Sequence, residues 1–152
     1  MRRLFVRLSQ LGTVFGISLT TGTNDRGWGD RYDWHSLDEA FHKARTEDKP
    51  MMVVIHKMTC AACQAQKRWF SRSPRIFELS KNFVMVNLEV HEVPKNPDFS
   101  PDGHYVPRIL FFTPGGRLMS QVKFHYNKEY QYTYPDEHDL ARSMMLIIDK
   151  KV

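Results

Sequence analysis

Apolar residues recur along this chain in two rhythms, one helical and one of short continuous runs. Leu37, Ala40, Phe41 and Ala44 fall three and four apart, the spacing of one helix face. Ser36 and Glu39 sit at capping-box distance, so the helix is predicted to begin there, and Lys49-Pro50 ends it. Met51 to His56 is a short apolar run, read as a strand buried on both faces. A second helix opens at Cys60 and runs through Trp69-Phe70. Ser71-Arg72-Ser73-Pro74 interrupts it, and Pro74, behind Ser73 as cap, restarts it through Leu79. Phe83 to Val90 predicts a second strand. His91 to Gly103 is a loop broken by Pro94, Pro97 and Pro101. Arg108 to Phe112 predicts a third strand. After the turn Pro114-Gly115-Gly116, Leu118 to Phe124 reads as a fourth strand, antiparallel to the third. Pro135-Asp136 opens a last helix with Leu140, Met144, Ile147 and Ile148 facing inward.

The order is helix, strand, helix, strand, loop, strand, strand, helix. It predicts an α/β protein of the thioredoxin fold, a central mixed β-sheet flanked by helices, with a crossover first and a hairpin second. The folded domain is expected over residues 36–150. Residues 23–35, opening with TNDRGWGDR (Thr23 to Arg31), read as a polar, Gly-rich linker. Residues 1–22 read as a signal peptide: Arg2, Arg3 and Arg7 form a basic start, and LGTVFGISL is an apolar stretch too short to span a bilayer. An organelle transit peptide and a retained N-terminal tail are the competing readings.

Composition narrows the function classes. At 152 residues, 41% hydrophobic and 12% aromatic, the chain can bury a real core. Removing the three leader arginines takes the formal charge from +5 to +2, so the basic balance is partly the leader's. With no Lys/Arg run or recognition motif, nucleic acid is not an expected partner. Lys67, Arg68, Arg72 and Arg75 read as a solvated helix face, the methionines as core filler, and the tyrosines from Tyr126 to Tyr134 as packing or a peptide-binding surface.

The two cysteines carry the chemistry. They stand as Cys60-Ala61-Ala62-Cys63, behind a buried strand and at a helix start. A helix N-terminus presents free N–H groups and partial positive charge, which favour a thiolate at the first cysteine. Cys60 is the expected nucleophile and Cys63 the resolving thiol, the two forming the redox disulfide. Structural cysteines or half a zinc site are the competing readings. Zinc wants four ligands, and no second Cys-x-x-Cys or paired histidine exists, so no metal and no cofactor is expected. Pro107, in Tyr105-Val106-Pro107-Arg108, is expected to be cis and to hold the Val106 backbone open for an added client strand. Thr59, Val106, Pro107 and Arg108 are therefore the candidate substrate-binding residues.

Beyond these motifs, the chain resembles the anterior gradient proteins and their relative thioredoxin domain-containing protein 12, small thioredoxin-like proteins of the endoplasmic reticulum. The matching stretches are Gly27-Trp28-Gly29-Asp30, Lys49-Pro50-Met51-Met52, Val54-Ile55-His56-Lys57, Cys60-Ala61-Ala62-Cys63, Asn82 to Glu89, and Phe99 to Phe111 with SPDG and VPRI. The resemblance implies work on the thiols or disulfides of client proteins, in the endoplasmic reticulum lumen or after secretion. It also implies Cys60 and Cys63 as the redox pair and Pro107 as the cis-proline. Anterior gradient members keep only the first cysteine, which puts this chain nearer the oxidoreductase end. The alternative is a weakly or non-catalytic, chaperone-like client-binding module of the anterior gradient type, with a homodimer as one form of it; Phe41 and Ala44 could line its seam, although core packing is the default. The chain departs from its relatives in ending Asp149-Lys150-Lys151-Val152 rather than in a KDEL-like tetrapeptide. Val54 stands where thioredoxins carry a buried acid, Thr59 replaces an aromatic, and Arg68 stands where a helix-kinking proline is common.

Overall fold

Three strands whose side chains are almost all buried build the centre of the molecule. The structure, a computed structural model, describes residues 24–152. Strand β1 (Met51–His56) lies in the middle, parallel to β2 (Val84–Glu89) and antiparallel to β3 (Arg108–Phe112). Four helices accompany them: α1 (Leu37–Glu47), α2 (Ala61–Phe70), α3 (Pro74–Ser80) and α4 (Glu137–Ile148). The expected capping box is present, with Ser36 accepting from the Glu39 amide and the Glu39 carboxylate reaching back to Ser36. Ser73 caps α3 ahead of Pro74, and Asp136 caps α4.

Alternation along the strands makes two cores. Met52, Val54, Ile109 and Phe111 point to one face, where Trp28, Phe70, Ile76, Leu140 and Met144 cover them. Met51, Val53, Ile55, Leu110 and Phe112 point to the other. Ala40 and Ala44 of α1 cover them there, together with Phe99 and Val93 from the loop after β2. Ala44 is fully buried in this second core, so it cannot line a seam between two copies.

Two expectations are corrected. Leu118 to Phe124 is not a strand. Only Leu118 bridges β3, at Phe112, and Met119 donates to the Phe111 carbonyl at 2.8 Å. The chain then turns, with the Val122 amide on the Met119 carbonyl. The rest of the β3 edge is covered by a later segment, where Ile109 donates to the Tyr132 carbonyl at 2.8 Å. Two irregular pieces thus share the edge that a hairpin would have covered, and both satisfy its backbone groups.

Nor is the segment before α1 a linker. Trp28 is fully buried and Tyr32 nearly so, and Trp34 bridges β2 at Met85. Trp28 meets Phe70 edge-on at 5.3 Å, and the Tyr32 hydroxyl donates to the Phe70 carbonyl. Gly29 makes this possible: its φ is +113°, and a Cβ there would lie 2.9 Å from the Tyr32 ring. Among the tyrosines, Tyr132 and Tyr134 are core residues, whereas Tyr126 is exposed. The leader expected over residues 1–22 lies outside the described residues.

Candidate functional site

The dithiol sits where the carboxyl end of β1 hands over to α2. Cys60 is the N-cap of α2, in extended conformation, and its sulfur accepts the Cys63 amide at 3.1 Å. That amide is one of the unpaired donors of the first helical turn, and it offers a thiolate both a hydrogen bond and the positive end of the helix. Cys60 is half-buried and Cys63 fully buried; both are free thiols. Burial, and then the hydrogen bond to Cys60, push the Cys63 thiol up to about 12. One sulfur is therefore presented at the rim and the other stays protonated inside.

The Val106–Pro107 peptide is cis. The Val106 carbonyl lies 3.8 Å from Cys60 Sγ, which donates to it. Thr59 is exposed beside the dithiol, next to a Met58 side chain that is 58% exposed. Cys60, Cys63 and Val106 thus converge, and Thr59 precedes Cys60 on the same rim. Pro107 is buried, its carbonyl accepting from the Thr133 hydroxyl.

Arg108 departs from expectation. Its side chain is 2% exposed, donating to the Phe99 carbonyl at 3.1 Å and to the Tyr105 carbonyl. It shares the face of Leu110 and Phe112, so it braces the loop before β3 and does not stand in the groove over the dithiol.

Several residues that shape the site carry no obvious sequence signal. Glu89, opposite His56 in the β1–β2 register, accepts the Met58 amide at 3.0 Å. The Gln64 amide donates to the Met58 carbonyl at 2.8 Å. The loop that delivers Cys60 is thereby held from both sides. His56 is fully buried against Trp28, with Nδ1 3.6 Å from Glu89 Oε1. Burial holds its imidazole below the ordinary value against the opposing pull of Glu89, with Lys67 and Arg26 also disfavouring the charged form. Lys67 of α2 donates to the Arg26 carbonyl at 2.8 Å, and Arg26 pairs with Glu92. The Gly27-Trp28-Gly29 stretch was the only hint, an aromatic isolated between two glycines. Val54, at the place of the buried acid, is fully enclosed in the core.

A family model described as thioredoxin-like matches residues 33–114. Anterior gradient protein 3 of Mus musculus is 40% identical over 125 residues, covering 80% of this chain and 74% of that protein. The chain belongs to the anterior gradient family of thioredoxin-like proteins. The Homo sapiens anterior gradient protein 2 homolog is 37% identical over 124 residues, covering 80% of this chain and 70% of that protein. In fold, this anterior gradient family member is similar to a thioredoxin from Thermus thermophilus, with a TM-score of 0.57 at 18% identity over 79% of this chain and 89% of the other. Among the described residues no cluster of His, Cys, Asp and Glu could hold a metal ion, and no helix is long and apolar enough to cross a membrane.

Proposed function

We propose that the chain is a thiol–disulfide oxidoreductase or isomerase of the secretory pathway, acting on client proteins through Cys60 and Cys63. The observation that carries this reading is the asymmetry of the pair: Cys60 at the rim on a helix amide and opposite the Val106 carbonyl, Cys63 enclosed and protonated. In reduction, the Cys60 thiolate attacks one sulfur of a client disulfide. That S–S bond breaks, a Cys60–client disulfide forms, and the leaving client thiolate takes a proton from solvent. Cys63 then gives up its proton and attacks Cys60 Sγ. The second client thiolate leaves, two electrons have passed to the client, and Cys60–Cys63 is oxidised. Oxidation of a client dithiol is the same sequence reversed. Thr59, Val106 and Pro107 form the client-facing rim.

Val54 favours slow resolution, because no carboxylate from β1 accepts the Cys63 proton. It is also the feature that favours the second reading, a client-binding module that turns over little. A Cys63→Ser variant separates the two. Client mixed disulfides through Cys60 accumulate if exchange is real; their absence, together with no change in client oxidation, leaves the binding module. The secretory setting is supported by the basic and apolar leader and by the family resemblance. A lumenal or secreted protein whose N-terminus begins after residue 22 is the expected finding.

A further inference from the structure

Buried charges in proteins are normally paired, because removing an unpaired charge from water is costly. Arg108 is the exception here. Its guanidinium is enclosed, yet among the described residues no carboxylate forms an ion pair with it. The undescribed residues 1–23 contain no Asp or Glu that could supply one. Carbonyl oxygens of Phe99 and Tyr105 take two of its N–H groups, and its Nε has no partner. Asp102 acts on it through its field without forming an ion pair: its Oδ2 accepts the Tyr105 hydroxyl at 2.7 Å and the Gln131 amide at 2.9 Å, its buried Oδ1 makes no hydrogen bond, and the Tyr105 ring lies 5.7 Å from the guanidinium.

This cation forms part of the wall of a cavity of about 530 Å³ between the loop after β2 and the start of β3. Lys95 and His104, both exposed, stand on the same wall with Asn96 and Ser100, and no acidic side chain lines it. The cavity lies at the same end of the sheet as the dithiol. Arg108 pairs with Ile55 near the end of β1, and both Arg108 and His104 are two residues from Val106, whose carbonyl meets Cys60. Two residues of chain span at most roughly 7 Å.

We propose that this cavity is a carboxylate subsite for the client: an acidic side chain, a few residues from the client cysteine, enters between Lys95 and His104 and adds a second negative charge in front of Arg108, which makes no ion pair of its own. The subsite rests on the client reading above and gives it a sequence preference. Lys95 and His104 make the direct contacts at the mouth, and Arg108 sets the field behind them.

The test uses two peptides with one serine in place of the client cysteine, identical except for Glu or Gln a few residues away. Binding is measured on the full chain carrying Cys60→Ser and Cys63→Ser, which cannot react. The Glu peptide is expected to bind about tenfold more tightly at low salt, the size of one charge-assisted contact. That preference should vanish in Lys95→Glu with His104→Glu, exposed sites where folding is not at stake. Equal binding of the two peptides, or a preference that survives the double reversal, overturns the subsite. Cysteine-containing versions, offered as activated disulfides to Cys63→Ser, read the exchange separately. A binding preference without exchange keeps the subsite and removes the oxidoreductase reading.

Discussion

The two faces of the sheet are covered by different means. On one, α2, α3 and α4 lie over β1 and β3 together with aromatics from irregular segments: Trp28 and Tyr32 meet Phe70 of α2, and Tyr134 meets Phe124. On the other, α1 is the one regular helix, contributing Ala40, Ala44, Leu37 and Phe41, and the rest of the cover comes from the proline-broken loop from Val90 to Val106 with Leu118 and Tyr132. The dithiol spans the boundary. Cys63 belongs to the helical side, where water is excluded, whereas Cys60 stands at the rim against Val106. The layer built of three helices holds the helix that positions the sulfurs, while the layer built largely of loop is the one that carries a cavity.

The sharpest break in that comparison concerns the sulfurs themselves. With its thiol pushed up to about 12, Cys63 should be alkylated by iodoacetamide at pH 8 roughly 10³-fold more slowly in the folded protein than in the unfolded chain. Peptide mass spectrometry after a timed quench reads this, and equal labelling of the two cysteines in the native protein would place Cys63 at the rim too. Next in size, Trp28→Ala should cost about 3–5 kcal/mol in urea unfolding, because it opens a hole in the aromatic layer. Val93→Ala on the loop-covered face should cost about 1 kcal/mol or less. Similar losses at the two positions would mean that the faces are equally packed.

His56 tests the same layer through pH. Its folded value is depressed, so the unfolded chain binds the proton more tightly. Stability should therefore fall as pH drops below about 6.5, by at most about 1.4 kcal/mol per pH unit, and His56→Phe should flatten this limb above pH 5. A pH series of melting temperatures decides it; an unchanged limb in the variant would assign the acid sensitivity to carboxylates. The smallest effect is at the cap of the helix on the other face. Ser36→Ala should cost about 1 kcal/mol, with exchange activity unaltered.

Elements with a local cause were legible in the sequence. Ser36 with Glu39, Ser73 with Pro74, and the run Met51–His56 each state their own structure. The Cys-x-x-Cys and the proline before β3 marked the site, and both lie where they were expected. What was not legible depended on distant partners. Leu118 to Phe124 has strand-like composition, but the chain turns after Met119, where the Val122 amide closes on the Met119 carbonyl, so the edge it was meant to cover is completed by Tyr132. Trp28, Tyr32 and Trp34 follow turns rather than a helical or strand period, so their burial left no rhythm to read. Arg108 looked like a groove residue because it follows the proline, yet strand alternation turns it away.

The contacts of Trp28 and Lys67 have a consequence for where the domain can be cut. A polypeptide begun at Ser36 would keep every regular helix and strand, yet it would lose the indole that fills the space between Phe70 and His56 and the Arg26 carbonyl that anchors Lys67. The smallest piece of this chain that keeps both holds on its dithiol helix therefore starts at or before Arg26, eleven residues ahead of the first residue of α1.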